Sequence, residues 1–313
     1  MSADKTVIRF AAFLLAVLLG SSFLPQWGLF MLTIVLVNGL VVLGCLLFLR
    51  AGLVSFGQAL YFCFGAYTTG LAANFLDVTD VFLLMLMSAI GSGIMAWLLG
   101  SLLSKYRSIF FGLLSMAFSM ILYGLLAKTE SLGSTDGFNV PAITILGYAP
   151  SSESVRASVL GVAALLALLA VSFAQALLKS PMGLLLTAIR DNEIRVEYMG
   201  ASAQKTIHTI YVIAGVFAGL AGSLVAVSVG HIDPTMAIWT TSGEFVFITI
   251  MGGIGSVIAP FIGALAFGII HTIAFSESPN TWQLVLGTAL IGIIYILPDG
   301  LWSLLTKVRG ANK

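Results

Sequence analysis

The chain has 313 residues, of which 59% are hydrophobic and only 9% are charged, and its mean hydropathy is +1.08. A soluble domain of this length would carry about a quarter charged residues, so the composition excludes an ordinary soluble globule. The net charge of +1 gives no indication of nucleic-acid binding. The cysteines, Cys45 and Cys63, both lie in apolar runs, where we expect small core residues rather than a disulfide or a metal pair.

Ten apolar runs follow one another along the chain, most of them near the length of about 20 residues that crosses a bilayer as a helix. The predicted helices are Ile8–Leu24, Gly28–Leu49, Leu53–Phe75, Val81–Leu103, Ile109–Ala127, Ala157–Leu178, Ile207–Val229, Ser242–Gly253, Ser256–Phe275 and Trp282–Leu297. The first could be a signal peptide, but "LLGSSF" is a poor cleavage site and favours a retained helix.

The apolar run over residues 242–275 is too long for one upright helix. It contains "GGIGS" near its middle, and clustered glycines mark a break. We predict either two helices or a hairpin that re-enters the side from which it came; both return the chain to the same side.

Basic residues are distributed unevenly between the two sides of this predicted bundle. Twelve Lys and Arg fall on the side of the N-terminus, and only Lys128 and Arg156 fall on the other. Because loops rich in Lys and Arg stay in the cytoplasm, we predict an all-α integral membrane protein with about ten transmembrane helices and both termini cytoplasmic. We treat residues 1–313 as a single domain.

The longest predicted cytoplasmic loop, residues 179–206, contains "SPMGLLLTAIRDNEIRVEYMGASAQK" and seven of the charged residues. Ser180 before Pro181 is typical of a helix start, a second helix is expected from Asp191, and Gly200 is expected to end it. The loop is either an amphipathic helix lying on lipid or a docking element for another protein.

Polar residues inside predicted spans are candidates for a transport pathway, because they are costly in lipid unless paired. Asn38, Ser55 and Gln58 are the clearest, and Gln58 follows Gly57 where a helix can be interrupted. The alternative is an ordinary hydrogen bond between helices. Glu244 could attract a substrate ammonium group, or could lie in the first turn of a helix capped by Ser242.

Thr135 and Asp136, in the outer loop "GSTDGF", could form a gate or contact a binding protein, although Asp-Gly alone is an ordinary turn. The three histidines are scattered without metal-ligand spacing. We therefore expect neither a catalytic cluster nor a metal site. Gly215, Gly219 and Gly222 are expected to permit close helix packing.

Several of these motifs, in this order, resemble the LivM-type permease subunits of branched-chain amino acid ABC importers. They are "GLVSFGQALYFCFGAYTTGLA", "GSTDGF", the loop with the glycine-rich helix after it, "SGEFVFITIMGGIGSVIAPFIGALAFG" and "LPDGLWSLL". The resemblance covers most of the chain from about Arg50 onward. It implies a transmembrane permease domain whose loop 179–206 couples to an ATPase.

The resemblance also implies partners: a second homologous permease chain, two ATP-binding subunits and a periplasmic substrate-binding protein, all at a bacterial inner membrane. No cofactor is expected in this chain, since the sequence lacks the pattern G-x-x-x-x-G-K-[ST] and ATP would be bound by the partner subunits. The substrate would be an amino acid or a related small polar compound. The alternative function is a secondary transporter of small organic solutes, which usually has ionisable groups at mid-membrane.

Within the loop we assign coupling to the ATPase to Met182, Gly183, Leu185, Ile189, Arg190, Asp191, Glu193, Arg195 and Gly200. The apolar members would supply contact area, and the charged members would set orientation. The general coupling motif of importer permeases is Glu-Ala-Ala, three residues, then Gly. Here Glu193 stands seven positions before Gly200, one more than that pattern.

Overall fold

The computed structural model describes residues 2–151, 154–277 and 281–304, and this part of the chain is almost entirely α-helical. Its α-helices are α1 (Ser2–Gly20), α2 (Gln26–Arg50), α3 (Gln58–Phe75), α4 (Val81–Leu103), α5 (Ser108–Lys128), α6 (Val155–Lys179), α7 (Pro181–Tyr198), α8 (Ala203–Val229), α9 (Trp239–Gly252), α10 (Ala259–Glu277) and α11 (Trp282–Ile296). Two short strands, β1 (Phe138–Asn139) and β2 (His231–Ile232), pair antiparallel.

Every predicted helix corresponds to a helix of the structure, with two substantial shifts in position. The first helix is Ser2–Gly20 rather than Ile8–Leu24. The third helix begins at Gln58 rather than at Leu53. The backbone before it does not need helical hydrogen bonds, because side chains satisfy its N–H groups: Phe56 N donates to Ser115 Oγ and Gly57 N donates to Ser55 Oγ. We call residues 51–57 the α2–α3 break.

Six helices in the described ranges are long and apolar enough to cross a membrane: α2, α4, α5, α6, α8 and α10. The apolar parts of α1 and α11 are shorter. The class of multi-helix membrane protein is therefore confirmed, whereas the count of ten crossings stays a prediction.

Helix α2 lies at the centre of the bundle. In its most apolar stretch 78% of the residues are buried, against 28% in α5. It packs against α6, α8, α9 and α10, and the side chains from Val41 to Leu43 are 0% exposed. The sequence of α2 is apolar on all sides, which is typical of a helix surrounded by other helices.

Helix α8 approaches α3 and α4 at backbone distance, as its glycines predicted. A Cβ on Gly219 would collide with Ser92 of α4, and a Cβ on Gly222 would collide with the Phe62 carbonyl of α3. Hydrogen bonds join the same surfaces, with Ser88 Oγ donating to the Gly219 carbonyl at 2.8 Å and Thr69 Oγ1 to Ser223 Oγ at 2.7 Å. Small residues thus let the three helices pack closely where lipid offers no hydrophobic driving force.

Helix α9 begins inside the bundle. The Ala237 carbonyl, just before α9, accepts a hydrogen bond of 2.8 Å from Ser119 Oγ, and Ser119 lies about halfway along α5. With 14 residues, α9 is about 21 Å long, shorter than a hydrocarbon core of about 30 Å. The break in the 242–275 run is confirmed. The turn after α9 lies at the C-terminal end of α2, where Arg50 Nη2 donates to the Ile254 carbonyl, so this geometry matches the two-helix alternative rather than the re-entrant hairpin.

The bundle has two chemically different ends. One end of the bundle holds most of the basic residues, and we call it the basic end. Helices α2, α4 and α6 terminate there, α7 lies there along its whole length, and α8 begins there. The strand pair β1–β2 lies at the opposite end. At the basic end the turn after α9 packs on the turn after α11, where Leu301 N donates to the Met251 carbonyl at 2.8 Å.

Replacing Gly222 by Ala tests the close packing of α8. We expect the free energy of unfolding to fall by about 1–3 kcal/mol, the usual cost of overpacking. The new methyl group would meet the Phe62 backbone, which cannot move aside as a flexible side chain could. The thermal midpoint of the purified protein in detergent measures this loss. Gly161→Ala in α6 is the matched control, since no heavy atom lies within 4 Å of its Cβ position. Equal midpoints for the two variants would contradict the packing.

Candidate functional site

The α2–α3 break brings polar groups into the interior of the bundle. Gly52 adopts φ +75°, a conformation that L-residues rarely take. Ser55 is only 3% exposed, and its Oγ accepts from Gly57 N at 3.3 Å. The break lies against α5, where Ser115 Oγ accepts from Phe56 N at 3.1 Å.

Gln58, the first residue of α3, is the least satisfied polar side chain at this place. It is 0% exposed, and neither Oε1 nor Nε2 has a hydrogen-bond partner in the described part of the chain. The next residue, Ala59, donates its N–H to Ser242 Oγ of α9 at 3.0 Å. A buried polar group without a hydrogen bond lowers the stability of the folded protein by about 1–3 kcal/mol. Such a group needs an explanation, and a functional role is one explanation.

The N-terminal ends of α3 and α9 therefore meet inside the bundle, against α5. Interrupted helices whose ends lie at membrane depth form the binding sites of many transporters, because their N-termini carry partial positive charge and free N–H groups. This junction is the best candidate in the structure for contact with a transported solute.

Two other predicted pathway residues lie away from Gln58. Asn38 is half-buried on α2, and its amide makes no hydrogen bond within the described ranges. Glu244 is half-buried on α9, two residues after Ser242 and thus about 200° around the helix from it. Its carboxylate has no ion pair or hydrogen bond with the described residues.

The prediction that Ser242 caps its own helix is wrong. Helix α9 begins at Trp239, and Ile238 occupies the cap position without a side-chain hydrogen bond. Ser242 lies one turn inside the helix, where its Oγ accepts from α3. This interaction joins the two interrupted helices.

Thr135 and Asp136 lie far from the junction of α3 and α9, at the end of the bundle that carries the strand pair β1–β2. Both are exposed, and Thr135 Oγ1 donates to Asp136 Oδ1 at 3.4 Å. Gly137, at φ +67°, follows them, and a Cβ there would collide with the Ile232 carbonyl. The loop is thus held against β2 and presents these two side chains outward.

Helix α7 consists of two helices joined at Asn192, as the sequence predicted. Asn192 is extended, with φ −162° and ψ 97°, and its Oδ1 accepts from Arg195 N at 2.9 Å, which caps the second helix. Gly200, at φ +86°, follows the end of that helix. The prediction for Ser180 is only partly right: it precedes the first helix, but its Oγ donates to the Leu177 carbonyl at 2.6 Å instead of capping.

The apolar residues assigned to ATPase contact are largely used within the chain itself. Ile189 is 5% exposed and belongs to the main core, and Met182 and Leu185 pack partly against that core. A Cβ on Gly183 would collide with the Leu178 carbonyl. The assignment of Ile189 to the docking surface is therefore corrected, because its side chain fastens α7 to the bundle. The assignments of the half-buried Met182 and Leu185 stay predictions.

A different set of large apolar side chains on α7 and the turn after it is exposed. They are Leu184 (72% exposed), Ile194 (68%), Tyr198 (89%) and Met199 (80%). We call them the outer face. Sequence reasoning missed this set because both sides of the first helix are apolar, although the spacing of Ile194 and Tyr198 by four residues is a signal for a shared face.

The charged residues of α7 also divide into inward and outward groups. Arg107, from the α4–α5 loop, binds Glu193 in a bidentate ion pair, with Nε–Oε2 at 2.7 Å and Nη2–Oε1 at 2.6 Å. The charge of Glu193 is thus paired within the chain, and its role in orienting a partner stays a prediction. Arg190, Asp191 and Arg195 are exposed, as the prediction required.

Helix α7 also contacts the α2–α3 break directly. A Cβ on Gly52 would lie 3.1 Å from Arg190 Cγ and 3.5 Å from Arg190 Cα. The absence of a side chain at Gly52 therefore lets the end of the first α7 helix rest on the backbone that leads to Gln58.

Comparisons with known proteins agree with this architecture. Residues 28–294 match the family described as branched-chain amino acid transport system / permease component. Over 275 residues the chain is 25% identical to the high-affinity branched-chain amino acid transport system permease protein LivM of Salmonella typhimurium and 26% identical to that of Escherichia coli. Each alignment covers 80% of this chain but 64% of the relative, so the chain spans less than two thirds of their length.

No solved structure is significantly similar to the chain. The family match covers most of its length and includes the α2–α3 break, α7 and the glycine-rich α8. The chain belongs to the family of permease components of branched-chain amino acid transport systems.

Proposed function

We propose that this chain is the transmembrane permease subunit of an ATP-binding-cassette importer and forms half of the pathway for amino acids or related small polar compounds. Family membership supports transport, and the outer face of α7 is the observation that supports an external source of energy. A second homologous permease chain, two ATP-binding subunits and a periplasmic binding protein would complete the importer. ATP would bind to the partner subunits.

The proposed location is a bacterial inner membrane, with ten spans and both termini in the cytoplasm. The bias of twelve basic residues to two supports this orientation. It places α7 in the cytoplasm, where an ATPase has access to it.

The outer face has the composition of a docking surface. It combines four large exposed apolar side chains with the exposed charges Arg190, Asp191 and Arg195. Exposed apolar patches rimmed by polar groups mark interaction sites, and the rim charges would set register more than affinity. Because the other side of α7 is fixed to the core, a partner that moves the outer face also pulls on the bundle.

Besides its apolar packing on the core, α7 contacts two connecting segments of the bundle. The Arg107–Glu193 ion pair joins it to the α4–α5 loop, and Arg190 rests on Gly52 in the α2–α3 break. In this proposal, movement of α7 shifts the break and, through it, Gln58 at the junction of α3 and α9.

One observation favours the alternative, a secondary transporter. Glu244 is an ionisable residue without a partner among the described residues, and α9 begins near the middle of α5. An unpaired carboxylate at such depth is typical of ion- or proton-coupled carriers. The rival function therefore predicts transport driven by an ion gradient.

Replacing Ile194 by Asp tests the docking surface. We expect the ATPase to be lost from the purified complex, because an unpaired charge in an apolar contact is costly, while the permease itself keeps its thermal midpoint. Ile189→Asp should instead destabilise the permease, since Ile189 belongs to its core. Co-purification, substrate-stimulated ATP hydrolysis and thermal midpoint are the measurements.

The matched control is Tyr106→Asp, which adds the same charge at an exposed position of the α4–α5 loop outside α7. It should leave the complex intact. If Ile194→Asp retains the ATPase and stimulated hydrolysis at the wild-type level, the outer face is not the coupling surface, and a helix lying on lipid becomes the better interpretation.

Replacing Gln58 by Leu separates a functional role from a structural one. The variant removes an unpaired buried amide at similar volume, so we expect the protein to be more stable by about 1–3 kcal/mol. If Gln58 contacts the solute, the KM for uptake should rise at the same time. Thr69→Val is the control: Thr69 is hydrogen-bonded to Ser223, so this change should lower stability without changing KM. A Gln58→Leu protein with unchanged KM would assign the amide to packing alone.

A further inference from the structure

Helix α9 has one side that packs on another helix and one side that stays exposed. On the covered side, Ser242 Oγ accepts from Ala59 N at 3.0 Å. The Phe245 ring meets the Phe62 ring edge-on, with ring centroids 5.4 Å apart. Ala59 and Phe62 both belong to α3, so this side of α9 faces the interior of the bundle.

The exposed side of α9 carries a carboxylate. Thr240 is exposed, Glu244 is half-buried and Phe247 is 44% exposed. Spacings of four and three residues place these side chains on one face of the helix, and we call them the Glu244 face. The Glu244 carboxylate makes no ion pair or hydrogen bond with the described residues.

Glu244 lies at the depth of the hydrocarbon core. Helix α9 begins near the middle of α5 and ends at the basic end, where Arg50 Nη2 donates to the Ile254 carbonyl just after it. Glu244 precedes Gly252, the last residue of α9, by eight residues, or about 12 Å. One leaflet of the core is about 15 Å thick. A glutamate side chain is too short to reach the lipid headgroups from that depth.

The exposed face of α6 shows what contact with lipid requires. Its side chains Leu165 (48% exposed), Leu169 (59%) and Phe173 (50%) are all hydrocarbon or aromatic. An ionised carboxylate in lipid is costly, and ionisable residues within membrane helices almost always face the bundle interior or a water-filled cavity. Because Glu244 faces away from the bundle interior, the Glu244 face has the composition of a cavity wall.

We propose that the Glu244 face lines the aqueous pathway of the importer and that its carboxylate attracts solutes that carry an ammonium group. This inference rests on the proposed function, since a pathway formed by two permease chains lies between them. The second permease chain would then stand opposite α9, across the pathway. Opposite charges attract, so an ammonium group is favoured at this wall over an uncharged amide or a carboxylate.

Thiol labelling of the assembled complex tests whether water reaches the Glu244 face. Cys45 and Cys63 are replaced by Ala, and Thr240→Cys is introduced. Permeabilised membrane vesicles that contain the chain with its proposed partners are treated with a water-soluble methanethiosulfonate, with and without ATP, and the mass of the chain reports labelling. We expect labelling at position 240 in at least one condition. Leu169→Cys, in the middle of α6 and also exposed, is the matched control and should stay unlabelled.

The charge of the reagent tests the role of Glu244. A trimethylammonium reagent and a sulfonate reagent are compared at Thr240→Cys, with and without Glu244→Gln. Side chains four residues apart lie about 6 Å from each other on a helix, and at that distance in water a unit charge changes the local concentration of each reagent about threefold, in opposite directions. We therefore expect the ratio of the two labelling rates to fall about tenfold in the Glu244→Gln variant.

Two results would overturn the proposal: no labelling at position 240 in either condition, or an unchanged rate ratio in the Glu244→Gln variant. Neither readout needs transport. Uptake driven by an ion gradient would therefore contradict the proposed function without changing the labelling, whereas an unlabelled Glu244 face would contradict this inference alone.

Discussion

The backbone contact of α8 with α3 and α4 is the constraint on which the rest of the bundle depends. Lipid is as apolar as the side chains, so helices in a membrane associate through close packing and hydrogen bonds rather than through the hydrophobic effect. Gly219 and Gly222 allow this approach, and the Ser88 and Thr69 hydroxyls bond across it. Once α3 is fixed against α8, the start of α3 is held beside α5 and α9, and the start of α8 is held beside α7.

The position of α7 follows from the same packing. Its inner side carries Leu186, Ile189 and Val196 into the core, and Arg107 holds Glu193 from a neighbouring loop. The helix pair is thus fixed on one side and carries exposed apolar and charged side chains on the other, which is the arrangement that the proposed coupling to an ATPase requires. Its contact with Gly52 lies next to the interrupted helix, so the proposed coupling element and the unpaired Gln58 belong to one continuous stretch of structure.

Much of this architecture could be predicted from the sequence, because length and apolar content identify membrane helices. The predicted helices exist, the break in the 242–275 run is present, and α7 bends at Asn192. The start of α3 was missed because its preceding backbone is satisfied by Ser115, a residue distant in sequence. The spacing of apolar residues along the sequence gives no information about a hydrogen-bond partner so far away in the chain.

Side-chain partners and exposed faces were the least predictable features. Arg107 and Glu193 are 86 residues apart, and no local pattern connects them. The first half of α7 is apolar on both sides, so its spacing alone could not show that Ile189 faces inward and Leu184 outward. Charge content suggested the coupling region, whereas tertiary packing decides which of its residues a partner can touch.

The source of energy for uptake is the most direct test of the proposed function. The measurement is uptake of labelled leucine, a branched-chain amino acid, into vesicles that contain this chain with the proposed partner permease, ATP-binding subunits and binding protein. We expect uptake that requires hydrolysable ATP and persists when proton and sodium gradients are dissipated. Uptake that proceeds without ATP and disappears with the ion gradient would contradict the account and assign the chain to the secondary transporters.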